Sequence, residues 1–363
     1  MKNSKIIATL GPATENINTI EQLIENGANF FRFNRKYSPV EWHQREIGLI
    51  RKLAKKLGRR VGVIIDIPRF DYATDITDYD YLALSYLKTA DEVVGLKERL
   101  KRKKMNPSVI AKIENGTAME NLEKIVAVSD AVMVARGDLG KETPIEELAF
   151  FQKKIIDVCR QQHRPVIVAT QMLLSMTENL TPTRAEATDV SNAVFDGTDA
   201  LMLSEETAIG NNPIEAVKTM TKIAKFCEST GELRKTEIIA DTLAEKLILV
   251  TTEIVRTSDK WPIKAIIVFT KSGNTARILS SYRLSIPVIA ISDDEDVLSR
   301  LSLSYGVIPF FKKFDQIKFE DEDPVFAEIK QRKLIKTGDN LIVVHGSNWL
   351  KSGSINNISM VKA

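Results

Sequence analysis

The sequence is poor in the features that mark several protein classes. It contains only two cysteines, Cys159 and Cys227, without the spacing of metal ligands, so it predicts two free thiols in a reducing compartment rather than a disulfide scaffold. No apolar stretch reaches the length of a membrane-spanning helix, and the N-terminus lacks the apolar core of a signal peptide. We therefore expect a cytoplasmic protein that does not act in a membrane.

An excess of charge of one sign is also missing. The 51 lysines and arginines are opposed by 48 aspartates and glutamates, so the net charge of +3 indicates neither nucleic acid nor an acidic membrane surface as a partner. The basic run Arg99–Lys104 is short and is typical of a solvated helix end. Hydrophobic residues, in contrast, make up 44% of the 363 residues, which predicts a soluble chain with a complete core and two domains.

Eight short runs rich in Val and Ile are present in the first part of the chain. They are apolar on both faces, as expected for the strands of a buried parallel sheet. The runs are Lys5–Leu10, Asn29–Phe33, Val61–Asp66, Leu82–Tyr86, Ser108–Ile113, Ala131–Ala135, Val166–Thr170 and Ala200–Leu203. Helical patterns follow most of them, at Ile17–Asn26, Val40–Leu57, Met119–Val128, Pro144–Gln161 and Pro213–Cys227. Together they predict an α/β fold of the (β/α)8 TIM barrel type, with one irregular connection at Ile67–Tyr81.

A second domain is predicted after the barrel. A long helical pattern, Thr236–Thr257, ends at the break Asp259-Lys260-Trp261-Pro262, and strand patterns then alternate with helical ones. The strand patterns are Ala265–Phe269, Pro287–Ile291, Val307–Phe310 and Asn340–Val344. This alternation predicts a small three-layer α/β domain, and we place the barrel at residues 1–230 and the second domain at residues 231–363.

Polar and charged side chains collect where the predicted strands end. In a barrel of this type the active site lies at the C-terminal ends of the strands. The residues at those ends are Thr9, Pro12, Arg32, Asn34, Asp66, Ser85, Lys112, Glu114, Arg136, Asp138, Thr170, Ser204 and Glu206. A rim of salt bridges without a ligand would explain any one of them, but the set as a whole favours a binding site.

Glu114 and Asp138 are the candidate metal ligands of this rim. They end neighbouring strands, and two carboxylates with a largely aqueous remaining shell are a common way to hold Mg²⁺. Lys112 and Arg136 each lie two residues before one of these carboxylates, so we expect them to share its facing. Their positive charge suits an anionic substrate.

Two further features complete the candidate site. The stretch Gly137-Asp138-Leu139-Gly140 is predicted to be a turn before a helix that begins near Pro144, and its backbone N–H groups could hold a carboxylate or a phosphate. Thr170 supplies a hydroxyl at the end of the next strand.

Several longer strings resemble motifs of the pyruvate kinase family, and the similarity covers almost all of the chain. The strings are Thr9-Leu10-Gly11-Pro12-Ala13-Thr14, Ala111-Lys112-Ile113-Glu114-Asn115, Met133-Val134-Ala135-Arg136-Gly137-Asp138-Leu139-Gly140, Ala169-Thr170-Gln171-Met172-Leu173, Pro182-Thr183-Arg184-Ala185-Glu186 and Asp196-Gly197-Thr198-Asp199-Ala200-Leu201-Met202-Leu203-Ser204. The resemblance implies transfer of the phosphoryl group of phosphoenolpyruvate to ADP, with Mg²⁺ and usually K⁺. By analogy it also implies a homo-oligomer.

The resemblance implies roles for individual residues. Glu114 and Asp138 would bind Mg²⁺ or Mn²⁺. Lys112 would stabilise the phosphoryl group and the developing enolate, Arg32 would join it as a catalytic residue, and Thr170 would lie near the carbon that is protonated. The implied substrate-binding residues are Gly137 and Asp138, through their backbone, together with Arg136 and Thr170.

The sequence departs from the family on the nucleotide side. The family's lid domain follows the third strand, where this chain has only the short connection Ile67–Tyr81. The string Asp66–Ala73 keeps the family's first aspartate but not its threonine or its arginine. Glu205 replaces a glycine between Ser204 and Glu206. These departures put the ADP site in question.

The monovalent-cation region of the family corresponds here to Asn34, Lys36 and Asp66. Lys36 stands where the family has a serine, and its ammonium could take the place of K⁺. Drift after loss of the site is the alternative, so a K⁺ requirement is in question as well.

Three hypotheses about function remain open. The first is phosphoryl transfer of the pyruvate kinase kind. The second is other Mg²⁺-dependent enolate chemistry on a 2-oxoacid, such as decarboxylation, aldol cleavage, or enolpyruvyl or phosphoryl transfer to a small acceptor. The third is a non-catalytic regulatory relative that binds phosphoenolpyruvate. All three predict a ligand like phosphoenolpyruvate or pyruvate.

The second domain carries the string Thr270-Lys271-Ser272-Gly273-Asn274-Thr275 between a strand and a helix. It resembles the family's loop for the phosphate of an effector, while an ordinary capped helix start is equally consistent with it. The opposing loop would be His345-Gly346-Ser347-Asn348 with Ser352-Gly353-Ser354. We expect the isolated His163 and His345 to be structural.

Overall fold

A computed structural model describes residues 2–68, 75–234, 236, 238–314, 323–346 and 355–363 of the chain. The chain divides into two compact units, Met1–Arg234 and Lys235–Ala363. Each unit combines strands and helices around an apolar core of its own. Among the described residues, none of the helices is both long enough and apolar enough to span a membrane.

The first unit contains a closed barrel of eight parallel strands. The strands follow one another in chain order, and the eighth pairs with the first to close the barrel. They are β1 (Lys5–Thr9), β2 (Ala28–Asn34), β3 (Gly62–Ile67), β4 (Tyr81–Leu84), β5 (Ser108–Ile113), β6 (Ala131–Ala135), β7 (Val166–Ala169) and β8 (Ala200–Leu203). Strands such as β3 and β5 are buried over their full length because one face fills the barrel and the other packs on helices. The predicted (β/α)8 barrel is confirmed.

The helices of this unit lie around the barrel. They are α1 (Ile17–Glu25), α2 (Val40–Lys56), α3 (Ala90–Arg102), α4 (Gly116–Glu120), α5 (Leu122–Val128), α6 (Arg136–Glu142), α7 (Leu148–Gln161), α8 (Arg184–Phe195), α9 (Glu205–Ala208) and α10 (Pro213–Ser229). Four of them lie wholly outside the predicted helical patterns, namely α3, α6, α8 and α9. The reason is clear for α8, since it buries only Val190, Ala193 and Val194 and so has a weak periodic pattern.

The prediction of a turn at Gly137–Gly140 was wrong. These residues lie within α6, which begins at Arg136 directly after β6. The N–H of Gly137 is accepted by the hydroxyl of Thr170, which follows the neighbouring strand. The hydroxyl of Thr170 thus replaces the side chain of a local N-cap residue. Because no capping residue precedes α6, the sequence gives no signal for the start of this helix.

The second unit is a mixed five-stranded sheet with the strand order β11-β10-β9-β12-β13. Its strands are β9 (Ile263–Phe269), β10 (Val288–Ser292), β11 (Val307–Phe311), β12 (Asn340–Gly346) and the antiparallel edge strand β13 (Ile355–Lys362). Its helices are α11 (Leu243–Thr257), α12 (Asn274–Ser281), α13 (Glu295–Leu301) and α14 (Asp323–Gln331). One face of the sheet packs against α11, α12 and α13, and the other packs against α14, which confirms the three layers. The polar strand β13 was not predicted.

Candidate active site

Four charged side chains at the ends of β2, β3 and β5 form one buried network. Arg32 donates to Asp66 Oδ2 from Nε at 2.9 Å and from Nη2 at 2.7 Å. Lys112 Nζ lies 3.2 Å from Asp66 Oδ2 and 2.8 Å from Glu114 Oε1. Two cations thus face two carboxylates, so the network is neutral at a depth where an unpaired charge would be costly.

The pairing fixes the protonation states of Asp66 and Lys112. Burial by itself would raise the pKa of Asp66, but the positive charges of Lys112 and Arg32 outweigh it and hold that pKa below its usual value. Burial by itself would lower the pKa of Lys112, but the negative charges of Asp66 and Glu114 outweigh it and raise that pKa. Asp66 is therefore a carboxylate and Lys112 an ammonium at neutral pH.

The residues after β4 support both carboxylates of this network. Ser85 Oγ accepts a hydrogen bond from Lys112 Nζ at 2.7 Å and donates one to Asp66 Oδ1 at 3.2 Å. Tyr86 has a φ of +57° and donates its backbone N–H to Glu114 Oε2 at 2.6 Å. A left-handed conformation is unusual for so bulky a residue. The sequence did not predict Tyr86, because a contact made by a backbone N–H does not depend on the type of side chain.

Arg136 is buried, and its guanidinium is bound by other groups of the protein. Nη1 lies 2.7 Å from the carboxylate of Asp189, and Nη2 donates to the backbone carbonyls of Thr170 at 2.8 Å and Gln171 at 3.2 Å. Thr170 and Gln171 have φ values of +70° and +54°. Arg136 therefore holds a strained stretch of backbone directly after β7.

This placement corrects the expectation that Arg136 shares the facing of Asp138. That expectation extended the alternation of a strand beyond residue 135. The strand β6 ends at Ala135, and Arg136 and Asp138 both lie in α6, where residues two apart point in different directions. A contact of Arg136 with substrate stays a prediction, and the contacts described here give it a supporting role.

The hydroxyl of Thr170 joins the ends of β6 and β7. Thr170 Oγ1 accepts the N–H of Gly137 at 2.8 Å and donates to the carbonyl of Ala169 at 2.6 Å. A Cβ atom at position 137 would lie 3.4 Å from Thr170 Oγ1, which is an ordinary van der Waals distance. Two residues predicted to bind the substrate, Gly137 and Thr170, are thus brought into direct contact.

The two predicted metal ligands have different environments. Glu114 is buried, and its Oε1 receives no hydrogen bond, although it lies 2.8 Å from Lys112 Nζ. Asp138 lies in the first turn of α6, and 41% of its side chain is exposed at 3.4 Å from Lys141 Nζ. Within the described ranges no three His, Cys, Asp or Glu side chains form a metal-binding group. A metal held by Glu114 and Asp138 would therefore complete its shell with water and substrate oxygens.

Lys36 follows β2, and its ammonium does not contact Asp66. Asn34 Oδ1 accepts the backbone N–H of Lys36 at 3.1 Å, and Lys36 Nζ lies 3.5 Å from the hydroxyl of Tyr86. The side chain of Asp66 is contacted instead by Arg32, Lys112 and Ser85. The prediction that Lys36 stands in for K⁺ therefore gains no support from these contacts, and the K⁺ requirement stays open.

Glu206, after β8, serves the backbone and is fully buried. Its carboxylate accepts the N–H of Leu173 at 3.0 Å and the N–H of Ser204 at 2.7 Å. Burial raises the pKa of Glu206 and outweighs these hydrogen bonds, which lower it. This side chain ties the segment after β7 to the end of β8.

The predicted effector loop, Thr270–Thr275, connects β9 to α12 in the second unit. Gly273 caps α12 with a φ of +78°, and its N–H is accepted by Thr270 Oγ1 at 2.9 Å. Lys271 Nζ lies 2.6 and 2.7 Å from the two carboxylate oxygens of Asp293. Effector binding at this loop stays a prediction. In the opposing loop, residues 347, 348 and 352–354 lie outside the described residues.

Comparison with known proteins shows that the chain is similar to one family. The model of the pyruvate kinase barrel domain matches residues 1–78 and 69–217, and that of the pyruvate kinase alpha/beta domain matches residues 249–361. A pyruvate kinase from Thermotoga maritima is 37% identical over 338 residues, which cover 89% of this chain and 71% of that protein. The chain belongs to the pyruvate kinase family.

Two other pyruvate kinases show the extent of the match. The protein from Clostridium perfringens is 39% identical over 297 residues, covering 78% of this chain and 61% of that pyruvate kinase. The protein from Sporosarcina psychrophila is 30% identical over 469 aligned positions, covering 98% of this chain and 80% of its own length. The resemblance to pyruvate kinases that the sequence strings indicate is confirmed.

In this pyruvate kinase relative, seven of the predicted site residues fall into two contact groups around the barrel mouth. The first group is ion-paired and consists of Arg32, Asp66, Lys112 and Glu114. The second is held by hydrogen bonds to the backbone and consists of Arg136, Gly137 and Thr170. Sequence reasoning missed Tyr86 and Asp189, which anchor one residue of each group.

Proposed function

We propose that the chain is a phosphotransferase of the pyruvate kinase type that takes its phosphoryl group from phosphoenolpyruvate and uses Mg²⁺ or Mn²⁺. The observation that carries the proposal is the buried ammonium of Lys112, held between Asp66 and Glu114 at the C-terminal end of the barrel. In the reaction the bond between phosphorus and the enol oxygen breaks, and an acceptor oxygen bonds to phosphorus. The enolate left behind takes up a proton at its methylene carbon and becomes pyruvate.

Lys112 and Arg32 are the cations that stabilise the negative charge of this reaction. Lys112 is protonated at neutral pH, and Ser85, Asp66 and Glu114 fix its position, so little reorganisation is needed when charge develops on the enolate. Arg32 is fixed by Asp66 and also donates to Thr9 Oγ1 at 3.2 Å. Cations held in this way act most strongly in the transition state.

Glu114 and Asp138 fit a hard divalent cation. Both are carboxylates, and Glu114 is oriented by the N–H of Tyr86 at Oε2, while its Oε1 lies 2.8 Å from the ammonium of Lys112, which a bound metal would join as a second cation. These two residues would hold the metal, which would neutralise charge on the phosphoryl and enolate oxygens when bound. Glu114 is already fixed by its contacts, whereas the partly exposed Asp138 would be positioned when the metal binds.

Thr170 and α6 would bind the carboxylate end of the substrate. The N–H groups of the first turn of a helix have no partner within the helix, and in α6 the one on Gly137 is taken by Thr170 Oγ1. We propose that the N–H of Asp138 faces the substrate, and that Thr170, whose hydroxyl already donates to the carbonyl of Ala169, holds the first turn of α6 in place for it. The role of Thr170 near the protonated carbon, which the family resemblance implies, belongs to the same proposal.

The acceptor is the less defined part of the reaction. The connection between β3 and β4 is short. The family model of the barrel domain matches as two segments that overlap at residues 69–78, as expected if the inserted lid of the family is absent here. An acceptor other than ADP, another enolate reaction on a 2-oxoacid, or binding without catalysis are the alternatives. The exposed Glu205, which adds negative charge beside β8, favours an acceptor that is smaller or differently placed than a nucleotide.

The test is turnover of phosphoenolpyruvate with Mg²⁺ and ADP, compared with exchange of the methyl protons of pyruvate with deuterated solvent. We expect pyruvate formation, and we expect Glu114→Gln to lower it by about 10²-fold while raising the Mg²⁺ concentration needed for half-maximal rate. Glu120→Gln, on the exposed surface of α4, is the matched control and should leave both unchanged.

The outcomes separate the hypotheses. Exchange that depends on Glu114 without turnover of any nucleoside diphosphate would replace phosphoryl transfer to ADP by other enolate chemistry. If neither activity occurs but phosphoenolpyruvate or oxalate binds with Mg²⁺, the protein is a binding relative. Absence of both activities and of binding would refute the proposed function.

A further inference from the structure

Thr9 lies where the barrel closes, between the ends of β8 and β2. It is the last residue of β1, it is buried, and its Cα is paired with that of Arg32 on β2. Its hydroxyl donates to the carbonyl of Leu203, the last residue of β8, at 2.8 Å. Because this hydrogen bond commits the hydroxyl proton, the oxygen accepts from any further partner. That partner is Arg32, whose Nη1 donates to Thr9 Oγ1 at 3.2 Å.

The backbone of Thr9 is held as firmly as its side chain. Its N–H donates to Thr207 Oγ1 at 2.9 Å, and the hydroxyl of Thr207 donates back to the carbonyl of Thr9 at 2.9 Å. Thr207 is fully buried in α9. The oxygen that Arg32 contacts is therefore anchored to β1, to β8 and to α9, and it can move little.

The ion pair with Asp66 does not by itself fix the direction of the Arg32 guanidinium. Nε and Nη2 both donate to one oxygen, Asp66 Oδ2, at 2.9 and 2.7 Å. A fork that binds two carboxylate oxygens sets both position and direction, whereas contacts that converge on one oxygen let the guanidinium pivot about it. The hydrogen bond from Nη1 to Thr9 supplies the second fixed point.

We infer that Thr9 is a positioning residue for Arg32 in the phosphoryl transfer, an inference that rests on the proposed function. Thr9 sets the direction in which the guanidinium presents its charge, without itself having to touch the substrate. A cation stabilises developing charge best when its direction is set before the reaction begins. Loss of the Thr9 hydroxyl should therefore affect the catalytic step more than the binding of substrate.

The test compares Thr9→Val, which keeps the branched shape but removes the hydroxyl, with Thr9→Ser, which keeps the hydroxyl. We expect Thr9→Val to lower kcat for pyruvate formation from phosphoenolpyruvate by about tenfold and to change KM by less than about twofold, because Arg32 is misdirected. Thr9→Ser should stay within about threefold of the wild type. In an Arg32→Met background, Thr9→Val should lower kcat by less than about twofold, because the group that Thr9 orients is gone.

Thr198→Val is the matched control. Thr198 is also fully buried, and its hydroxyl donates to the carbonyls of Val166 and Ala200 at 2.9 and 3.0 Å, at the N-terminal ends of β7 and β8. This variant should lower stability in urea as Thr9→Val does, but leave kcat unchanged. The inference is overturned if Thr9→Val lowers kcat by the same factor with and without Arg32, or if it leaves kcat unchanged.

A second readout is independent of catalysis. NMR of the protein with ¹⁵N-labelled arginine measures rotation about the Cζ–Nη1 bond of Arg32, and Arg32→Met assigns the signal. We expect this rotation to be about tenfold faster in Thr9→Val, and close to the wild-type rate in Thr9→Ser. Equal rates in the wild type and Thr9→Val overturn the inference. If the wild type does not turn over phosphoenolpyruvate, the proposed phosphoryl transfer fails, and the rotation rate still decides whether Thr9 fixes the direction of Arg32.

Discussion

Around the barrel mouth, the ends of β2 to β5 and the ends of β6 to β8 hold their polar groups by different means. In the first half, Arg32, Asp66, Lys112 and Glu114 are fixed by one another's charges. In the second half, side chains fix the backbone. Arg136 binds the carbonyls of two residues with positive φ, and Glu206 binds the N–H groups of two others.

The two halves should therefore be sensitive to different kinds of substitution. The first half depends on the number and sign of its charges, so substitutions that change charge should damage it most. The second half depends on backbone geometry, so a substitution that keeps the charge but loses hydrogen bonds should damage it as well. In the proposed reaction both halves act on one substrate, and small displacements at a reacting centre are costly.

The largest effect is expected from Lys112→Met in the charged half. The change removes the cation proposed to face the enolate and leaves Glu114 without a positive neighbour. We expect pyruvate formation from phosphoenolpyruvate to fall by about 10²- to 10³-fold. We also expect the free energy of unfolding in urea to fall by about 3 kcal/mol, as for a broken buried ion pair.

Lys97→Met is the matched control for Lys112→Met. Lys97 Nζ is also ion-paired, with Asp130 at 2.9 Å, but on the outside of the barrel with 36% of its side chain exposed. Its removal should cost less than about 1 kcal/mol and leave turnover intact. Equal losses for the two variants would mean that the charged half of the mouth has no special role.

A smaller effect on turnover is expected from Arg136→Lys in the backbone half. Lysine keeps the positive charge and can still approach Asp189, but it cannot reproduce the fork that binds the carbonyls of Thr170 and Gln171. We expect kcat to fall by about tenfold to hundredfold, because Thr170 is displaced, while the Mg²⁺ requirement stays unchanged.

Asp189→Asn tests the same contacts by changing the ion-pair partner of Arg136. It weakens the ion pair to Arg136 but leaves both carbonyl contacts available, so its effect on kcat should be clearly smaller than that of Arg136→Lys. A larger effect of Asp189→Asn would show that the charge of this pair, and not the carbonyl clamp, is what matters in the second half.

The residues of both halves could be named from the sequence, but only in the charged half did the sequence also indicate how they lie together. Asp66, Lys112 and Glu114 end or follow apolar runs, and strand ends of a parallel barrel meet on one rim, so residue type and position suffice. The pairing of Arg32 with Asp66 also depends on the register of β2 against β3. In that register Asn34 lies beside Asp66, so Arg32 lies two residues before this pair on the same strand. The role of Arg136 was missed because the strand stops one residue before it. Tyr86 was missed because its contact uses the backbone.

The last comparison concerns the dependence of stability on pH and does not need turnover as its readout. Asp66 and Glu206 are both buried acids, one in each half, and their pKa values shift in opposite directions. The lowered pKa of Asp66 means that its carboxylate stabilises the fold above its ordinary value of 3.8 and loses this contribution as the pH falls through the lowered pKa. The raised pKa of Glu206 means that its burial costs stability as the pH rises from its ordinary value of 4.5 through the raised pKa.

The corresponding variants, Asp66→Asn and Glu206→Gln, should therefore diverge in urea unfolding between about pH 3 and pH 7. The stability that Asp66 adds over Asp66→Asn should grow as the pH rises through the lowered pKa to the ordinary value of 3.8, and stay level at about 3 kcal/mol above it, since the variant leaves Arg32 and Lys112 without a buried partner. The stability of the wild type relative to Glu206→Gln should be level below the ordinary value of 4.5 and decrease as the pH rises above it, because the buried carboxyl becomes charged while the amide never does. Parallel curves for the two variants would contradict the contrast, since they would mean that the acid of the backbone half is stabilised by charge in the same way as the acid of the ion-paired half.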